Sequence, residues 1–224
     1  MSLSVRTNLP TFIGLFLVFG LPLIFSLFLK SKYRKSGLFF GIVGDWSIVL
    51  LLFFLILLWE HQSLSSIGFR GFSYREILWG FAGFFVGAFS FALTTPLVRA
   101  LHLNTTAGGI TRLAAAPPGL RVVLVLTAGI AEEIMFRGYA IERLATLTGS
   151  VAVGAAIAYL VFVALHLPFW GPGGTIQIGV WSLLVTVLYV WQRNLWPCIL
   201  MHVLNDAYAF IVLPMFFTQY LHRS

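Results

Sequence analysis

The sequence predicts an all-α membrane protein, a polytopic bundle of about seven transmembrane helices within a range of six to eight. Hydrophobic residues make up 59% of the 224 residues and charged residues only 9%, whereas an ordinary soluble domain has about 25% charged residues. The mean hydropathy is +0.95. Uncharged stretches recur along the chain, and at about 1.5 Å per residue some 20 residues suffice for one crossing of a bilayer.

The charge balance and the cysteine content exclude several classes of function. The net charge is +7, and in a membrane protein a basic excess more often reflects loops that touch anionic lipid than nucleic-acid binding. No basic tract with interleaved polar residues indicates a nucleic-acid partner, so the expected partner is the lipid bilayer. Cys198 is the one cysteine in the sequence, which rules out a disulfide framework and a metal site built from cysteines.

The first three spans are predicted from uncharged runs at Thr7 to Leu29, Leu38 to Trp59 and Ile77 to Val98. Asp45 interrupts the second run, and we expect it to be an interfacial or helix-facing acid rather than a catalytic one. The basic cluster Lys30 to Lys35 follows the first span and predicts a cytoplasmic loop. The N-terminus would then lie outside and, after seven spans, the C-terminus inside.

The second half of the chain predicts four more spans. Thr, Gly and Pro residues between Leu101 and Arg121 predict a loop, after which Leu120 opens the fourth span. A Pro- and Gly-rich break from Pro168 to Gly174 separates the fifth span from the sixth, and Leu195 to Tyr220 forms the seventh. With no repeat and no soluble appendage, we expect a single membrane domain over residues 1–224, with its motif-bearing core at about 120–220.

Two adjacent acids and an arginine stand in the fourth span. In an α-helix at about 100° per residue, Glu133 and Arg137 lie four apart on one face, while Glu132 points away from them. The paired acid is expected to be structural, and the free acid can serve as a general base. The alternative is an interfacial turn at which the charged side chains reach water.

Further polar groups occur at membrane depth in the later spans. His166 stands near the end of the fifth span, and the seventh carries His202, Asn205 and Asp206. These three are spaced three and four residues apart, so they share one helix face, which we expect to turn inward. Placing an ionisable side chain inside a membrane raises the free energy of the protein, so such side chains usually mark a functional site.

Three segments of the sequence resemble, in order, the motifs of the CAAX protease and bacteriocin-processing (Abi) family of glutamate-dependent intramembrane endopeptidases. They are Glu132-Glu133-x-x-x-Arg137, Phe162-x-x-x-His166 and His202-x-x-x-Asp206. The resemblance implies an integral protein of a prokaryotic cell membrane that cleaves a membrane-embedded or lipidated protein or peptide, as eukaryotic relatives cleave prenylated proteins. One position departs from the pattern, because the family most often has Asn where this chain has Asp206.

We expect Glu132, helped by His166, to take a proton from water, after which hydroxide attacks a peptide carbonyl. His202 would stabilise the oxyanion together with Asn205 or a protonated Asp206. No metal ion or other cofactor is expected. The catalytic set is therefore Glu132, His166, His202, Asn205 and Asp206, and the structural set at the site is Glu133, Arg137 and Phe162. Asp206 either donates a hydrogen bond or supports a charged His202, and the amide of the family favours the donor role.

Three other functions stay open from the sequence. A zinc-dependent membrane protease could use Glu132, His166 and His202 as ligands, because two histidines and a glutamate form a workable set. A non-catalytic membrane immunity or scaffolding protein could use the same polar cluster for binding. A proton-coupled transporter could relay protons through buried Glu and His side chains, although the inverted repeats typical of transporters are not found.

Overall fold

A computed structural model describes residues 9–32 and 37–216, and the side chains of residues 9–24 and 37–216. Within this part of the chain all regular structure is helical, which confirms the predicted all-α bundle. The predicted basic cluster Lys30 to Lys35 falls outside the described side chains. The α-helices are α1 Leu9–Lys32, α2 Gly37–Phe54, α3 Tyr74–Ala100, α4 Ala107–Ala114, α5 Pro118–Thr127, α6 Ile141–Thr148, α7 Val151–Gln192, α8 Leu195–Ala207 and α9 Leu213–Phe216.

Four helices in the described ranges are long and apolar enough to cross a membrane. They are Gly37–Trp59, Tyr74–Ala100, Val151–Gln192 and Leu195–Phe216, and Leu9–Ile24 is a shorter apolar helix. The helices are those of an integral membrane protein, and the count of about seven spans stays a prediction.

Helix α7 combines the predicted fifth and sixth spans. It has 42 residues, and its backbone leaves the helical region at Gly171, where φ is 69° and ψ is 176°. A positive φ is readily adopted by glycine, and Pro168 and Pro172 on either side disfavour a straight helix. The predicted break is therefore a sharp kink between two helical segments.

The predicted loop from Leu101 to Arg121 was wrong in part, because α4 and the start of α5 lie within it. The Gly and Pro residues suggested helix breaking, but Pro117 and Pro118 stand at the N-terminus of α5, where a missing backbone N–H breaks no hydrogen bond. In α4, Gly109 lies against the Trp170 ring and Leu113 is buried. Tertiary packing thus stabilises a short helix that composition disfavours.

The two adjacent acids lie on a π-helix, Ala128–Ala140, which we call the motif helix. The sequence predicted an α-helix here, but a π-helix has hydrogen bonds from i to i+5 and a wider turn. Short π-helical segments are frequent at functional sites. Helices α1, α2, α7 and α8 all pack against the motif helix, so it lies at the centre of the bundle.

Gly129→Ala should destabilise the protein by about 1–3 kcal/mol, because an added methyl group overpacks the contact between the motif helix and α8. A Cβ atom at Gly129 would lie 2.4 Å from Val203 Cγ2 and 3.0 Å from the Val203 backbone N. Thermal unfolding in detergent measures the effect. Gly41→Ala is the matched control, because nothing lies within 4 Å of its Cβ position, and an unfolding temperature for Gly129→Ala equal to that of Gly41→Ala would contradict the prediction.

Candidate active site

The two acids of the motif helix have different environments. The side chain of Glu133 is completely buried, whereas that of Glu132 is 23% exposed and lines a cavity. Glu133 Oε1 accepts a hydrogen bond from Arg137 Nη1 over 3.0 Å, as the four-residue spacing predicted. Glu132 has no such partner among the described residues; His202 Nε2, at 4.0 Å from its Oε2, is beyond hydrogen-bond distance.

Arg137 is held by its own helix and by both segments of α7. Nη1 donates to Glu133, as described above. Nη2 donates to Ser182 Oγ of α7 over 2.8 Å, and Cζ lies 4.3 Å from the centre of the Phe162 ring. Ser182 was not predicted from the sequence, because a single serine in an apolar helix gives no indication of the residue that it contacts. The guanidinium group is nevertheless paired, hydrogen-bonded and stacked on an aromatic face, which offsets its burial.

Glu133 also contacts the imidazole of His202, a link that sequence spacing did not predict. His202 Nδ1 lies 2.7 Å from Glu133 Oε1, and because a carboxylate accepts hydrogen bonds, Nδ1 carries the proton. The edge of the same ring faces Trp181, with ring centres 4.7 Å apart. Glu133 therefore orients both Arg137 and His202, from two different helices.

His166 is oriented by its own helix. Its Nδ1 lies 2.7 Å from the carbonyl oxygen of Phe162, one turn earlier in α7. A carbonyl oxygen only accepts, so Nδ1–H is the donor, and in the neutral ring Nε2 keeps its lone pair. The Phe162 and His166 rings also pack together, with their centres 4.3 Å apart. The spacing Phe162-x-x-x-His166 thus fixes which nitrogen can accept a proton.

All five residues predicted to be catalytic line one cavity of about 850 Å³. Glu132 comes from the motif helix, His166 from the first segment of α7, and His202, Asn205 and Asp206 from α8. Most of the remaining wall is apolar and aromatic, including Phe84, Phe85, Phe91, Phe169, Tyr208 and Phe210. The candidate catalytic residues thus form one polar wall of a cavity that is otherwise mostly apolar.

The described residues contain no group of three or more His, Cys, Asp or Glu side chains that could hold a metal ion. Glu132, His166 and His202, the alternative zinc ligand set, line one cavity but do not form such a group.

A second buried ion pair fixes the far end of the motif helix. Glu60 accepts hydrogen bonds from Arg143 Nη2 at 2.6 Å, Tyr139 at 2.9 Å and Thr11 at 3.2 Å. No spacing rule relates Glu60 to Arg143, which are 83 residues apart. These hydrogen bonds connect the start of α1, at Thr11, and the end of the second span, at Glu60, to the end of the motif helix.

Asp206 accepts one hydrogen bond, from Asn205, and lies within ion-pair distance of His202. Asn205 Nδ2 donates to Asp206 Oδ1 over 3.2 Å, and Asp206 Oδ2 lies 3.6 Å from His202 Nε2. An ionised carboxylate suits both neighbours, since the amide and a protonated imidazole are donors. The geometry therefore favours a carboxylate that supports a charged His202 over the donor role that the sequence favoured.

With these distances, Asp206→Asn should lower kcat about tenfold, which corresponds to roughly 1.4 kcal/mol of barrier. An amide cannot support a positive charge on His202 as a carboxylate does. The measurement is the turnover of a peptide substrate by the well-folded variant beside the wild type. Equal or higher turnover by Asp206→Asn would return the position to the hydrogen-bond donor role.

Comparison with known families agrees with the motifs. Residues 114–208 match the family model described as "Type II CAAX prenyl endopeptidase Rce1-like", and this segment contains every residue of the predicted catalytic set. No curated protein and no solved structure matches the chain. The resemblance drawn from the three sequence motifs is confirmed, and over residues 114–208 the chain is similar to the Rce1-like type II CAAX prenyl endopeptidases.

Proposed function

We propose that this protein is an intramembrane endopeptidase of a prokaryotic cell membrane, and that Glu132 activates the water that hydrolyses the peptide bond. The observation that carries the proposal is the cavity. Two histidines, an amide and two acids from three helices line it, and one of these acids, Glu132, has no hydrogen-bond partner among the side chains that the structure describes. The match of residues 114–208 to a prenyl endopeptidase family supports a protease of this general type.

Glu132 activates water at its side of the cavity. The Glu132 carboxylate accepts a proton from water while the oxygen of that water attacks the carbonyl carbon of the substrate. His166 presents the lone pair of Nε2 because its Nδ1–H donates to the Phe162 carbonyl, so it can hold the same water by accepting its second hydrogen. When the C–N bond breaks, Glu132 returns its proton to the leaving amine.

Charge that develops on the substrate oxygen is stabilised from α8. His202 is protonated at Nδ1, which faces Glu133, and its Nε2 faces Asp206 and Glu132. These carboxylates favour the doubly protonated ring, whose Nε2–H can donate to the oxyanion. Asn205 uses one amide hydrogen for Asp206, and its second amide hydrogen is available for the same oxyanion.

The walls of the cavity favour a substrate with a large apolar part. Phenylalanine, tyrosine and tryptophan side chains from α3, α7 and the segment after α8 line it, and apolar pockets with a few placed polar groups are typical of sites for apolar ligands. A membrane-embedded segment or a lipidated, for example prenylated, peptide meets this requirement.

The test is proteolysis of lipidated and membrane-embedded peptides by the purified protein in lipid vesicles, compared with Glu132→Gln. We expect cleavage by the wild type alone, with the products identified by mass spectrometry. Equal cleavage by both proteins would contradict the role of Glu132. Cleavage by neither would favour a non-catalytic immunity or scaffolding protein.

Activity should survive exhaustive treatment with strong chelators, because the proposed site activates water with a glutamate and a histidine alone. The measurement is the initial rate before and after chelation, with a zinc protease treated in parallel as the control for the chelator. Loss of activity that zinc restores would instead support the zinc protease, with Glu132, His166 and His202 as ligands.

A further inference from the structure

The proposed mechanism uses one part of the cavity wall, and helix α3 extends that wall to a second polar region. Residues of α3 that recur every three or four positions line the cavity: Phe84, Ala88, Phe91, Thr95 and Arg99. The start of this stripe is level with His202, because Gly87 lies against Trp181, whose ring contacts that of His202. At about 1.5 Å per residue, Arg99 lies roughly 18 Å further along the helix axis.

Arg99 is an unpaired cation on this wall. It is exposed, and none of the seven acidic residues of the chain, all of which belong to the described part, forms an ion pair with it. By contrast, Arg137, Arg143 and Arg193 each pair with a glutamate. The Arg99 guanidinium group forms no hydrogen bond with any described residue either. Its N–H donors are therefore available to a ligand in the cavity.

A buried glutamine fixes the chain beside Arg99. Gln177, which is 1% exposed, accepts a hydrogen bond from Thr106 N over 2.8 Å and donates one to Thr95 Oγ1 over 3.0 Å. Thr95 stands one helical turn before Arg99, so the chain that follows α3 returns alongside the last turn of that helix. The buried Thr105 in this returning segment also lines the cavity. Its hydroxyl group accepts from a backbone N–H but donates to no described residue.

We propose that Arg99 and Thr105 form a subsite that binds a carboxylate group of the peptide substrate. This inference rests on the proposed function, because its ligand is the peptide that the catalytic residues cleave. A guanidinium group and a hydroxyl group are donors that suit a carboxylate, and the charge of the arginine strengthens the hydrogen bonds. The carboxylate is the C-terminal group of the peptide or an acidic side chain.

The distance between the two polar regions limits where the carboxylate stands in the substrate. An extended peptide advances about 3.3–3.6 Å per residue, so the carboxylate lies within about five residues of the bond that is cleaved. The wall between the two regions is apolar and includes Phe91 and Ile178, so it favours apolar residues in the intervening part of the peptide. The subsite thus selects which peptide bond reaches the catalytic residues.

The test measures the Kd of three lipidated apolar peptides of equal length for the Glu132→Gln protein in vesicles of neutral lipid. One peptide ends in a free carboxylate, one in an amide, and one in an amide with glutamate as its last residue. The free acid should bind about tenfold more tightly than the plain amide, a modest factor because water competes at an exposed arginine. Adding Arg99→Gln should reduce this preference to less than about twofold without weakening the binding of the plain amide, and Arg99→Lys should keep most of it.

Arg75→Gln is the matched control and should keep the full preference, because Arg75 is an exposed arginine in the first turn of the same helix and does not line the cavity. The peptide with the terminal glutamate identifies the source: binding as tight as that of the free acid means that a side-chain carboxylate is accepted, and binding as weak as that of the plain amide means that the C-terminal group is required.

Equal affinity of all three peptides for the protein that retains Arg99 would overturn the inference. An equal loss of affinity for all three peptides in Arg99→Gln would also overturn it, since that result indicates a contact of Arg99 with lipid phosphate. The unfolding temperature of Arg99→Gln should match that of Arg75→Gln, because neither arginine is buried. A carboxylate preference in binding without cleavage by the wild type would refute the proposed function and leave the subsite in place.

Discussion

Glu132→Ala should lower kcat by about 10²- to 10⁴-fold, the usual effect of removing a general base, while the protein stays folded. Activity should fall because Glu132 lines the cavity and, within the described part of the chain, accepts no side-chain hydrogen bond, with His202 Nε2 at 4.0 Å from its Oε2. Stability should hold for the same reason, since removing the carboxylate breaks no hydrogen bond between the helices of residues 9–24 and 37–216.

The measurement combines initial rates of peptide cleavage with thermal unfolding in the same detergent. Glu132→Gln keeps the shape of the side chain and should be as inactive as Glu132→Ala, because an amide cannot accept the proton of water. Glu76→Gln is the control for removing an acid elsewhere, since Glu76 is a partly exposed residue in the first turn of α3. Wild-type turnover in a folded Glu132→Ala protein would remove Glu132 from the mechanism.

Glu133→Ala should instead act mainly on stability, with a loss of about 3–5 kcal/mol, as is usual when one partner of a buried ion pair is removed. Both partners are almost completely buried, with relative exposures of 0% for Glu133 and 1% for Arg137. The change leaves the Arg137 guanidinium without a counter-ion and His202 Nδ1 without its acceptor. Activity falls as a consequence of the lost orientation of His202.

Thermal unfolding of Glu133→Ala is best compared with that of a double variant in which Glu133 and Arg137 are both replaced by Met. The double variant should be more stable than Glu133→Ala, because apolar residues of similar volume leave no unpaired charge in the bundle. It should also be inactive, since His202 loses its acceptor. An unfolding temperature of Glu133→Ala equal to that of the wild type would show that the ion pair does not stabilise the fold.

Local patterns in the sequence were sufficient to predict the class of fold and to select the residues of the candidate site. Hydropathy predicts helices because each crossing must satisfy its own backbone hydrogen bonds. The four-residue spacing predicts contacts within one helix, and Glu133 to Arg137 and Phe162 to His166 both have them. The resemblance of the three motifs selects the same residues. These inferences depend on neighbours within about one helical turn.

The contacts between helices could not be predicted from the sequence and are seen only in the tertiary structure. The pairs Glu133 to His202, Arg137 to Ser182 and Glu60 to Arg143 join residues 45 to 83 positions apart. They depend on how each helix is rotated and shifted against the next, and no spacing within one helix encodes that rotation. The π-helical turn of Ala128–Ala140 and the short helix α4 also depend on neighbouring helices, because intrinsic propensity is weak compared with packing. The sequence by itself therefore determined which side chains could carry the chemistry, and only the packing of the bundle decided which of them meet.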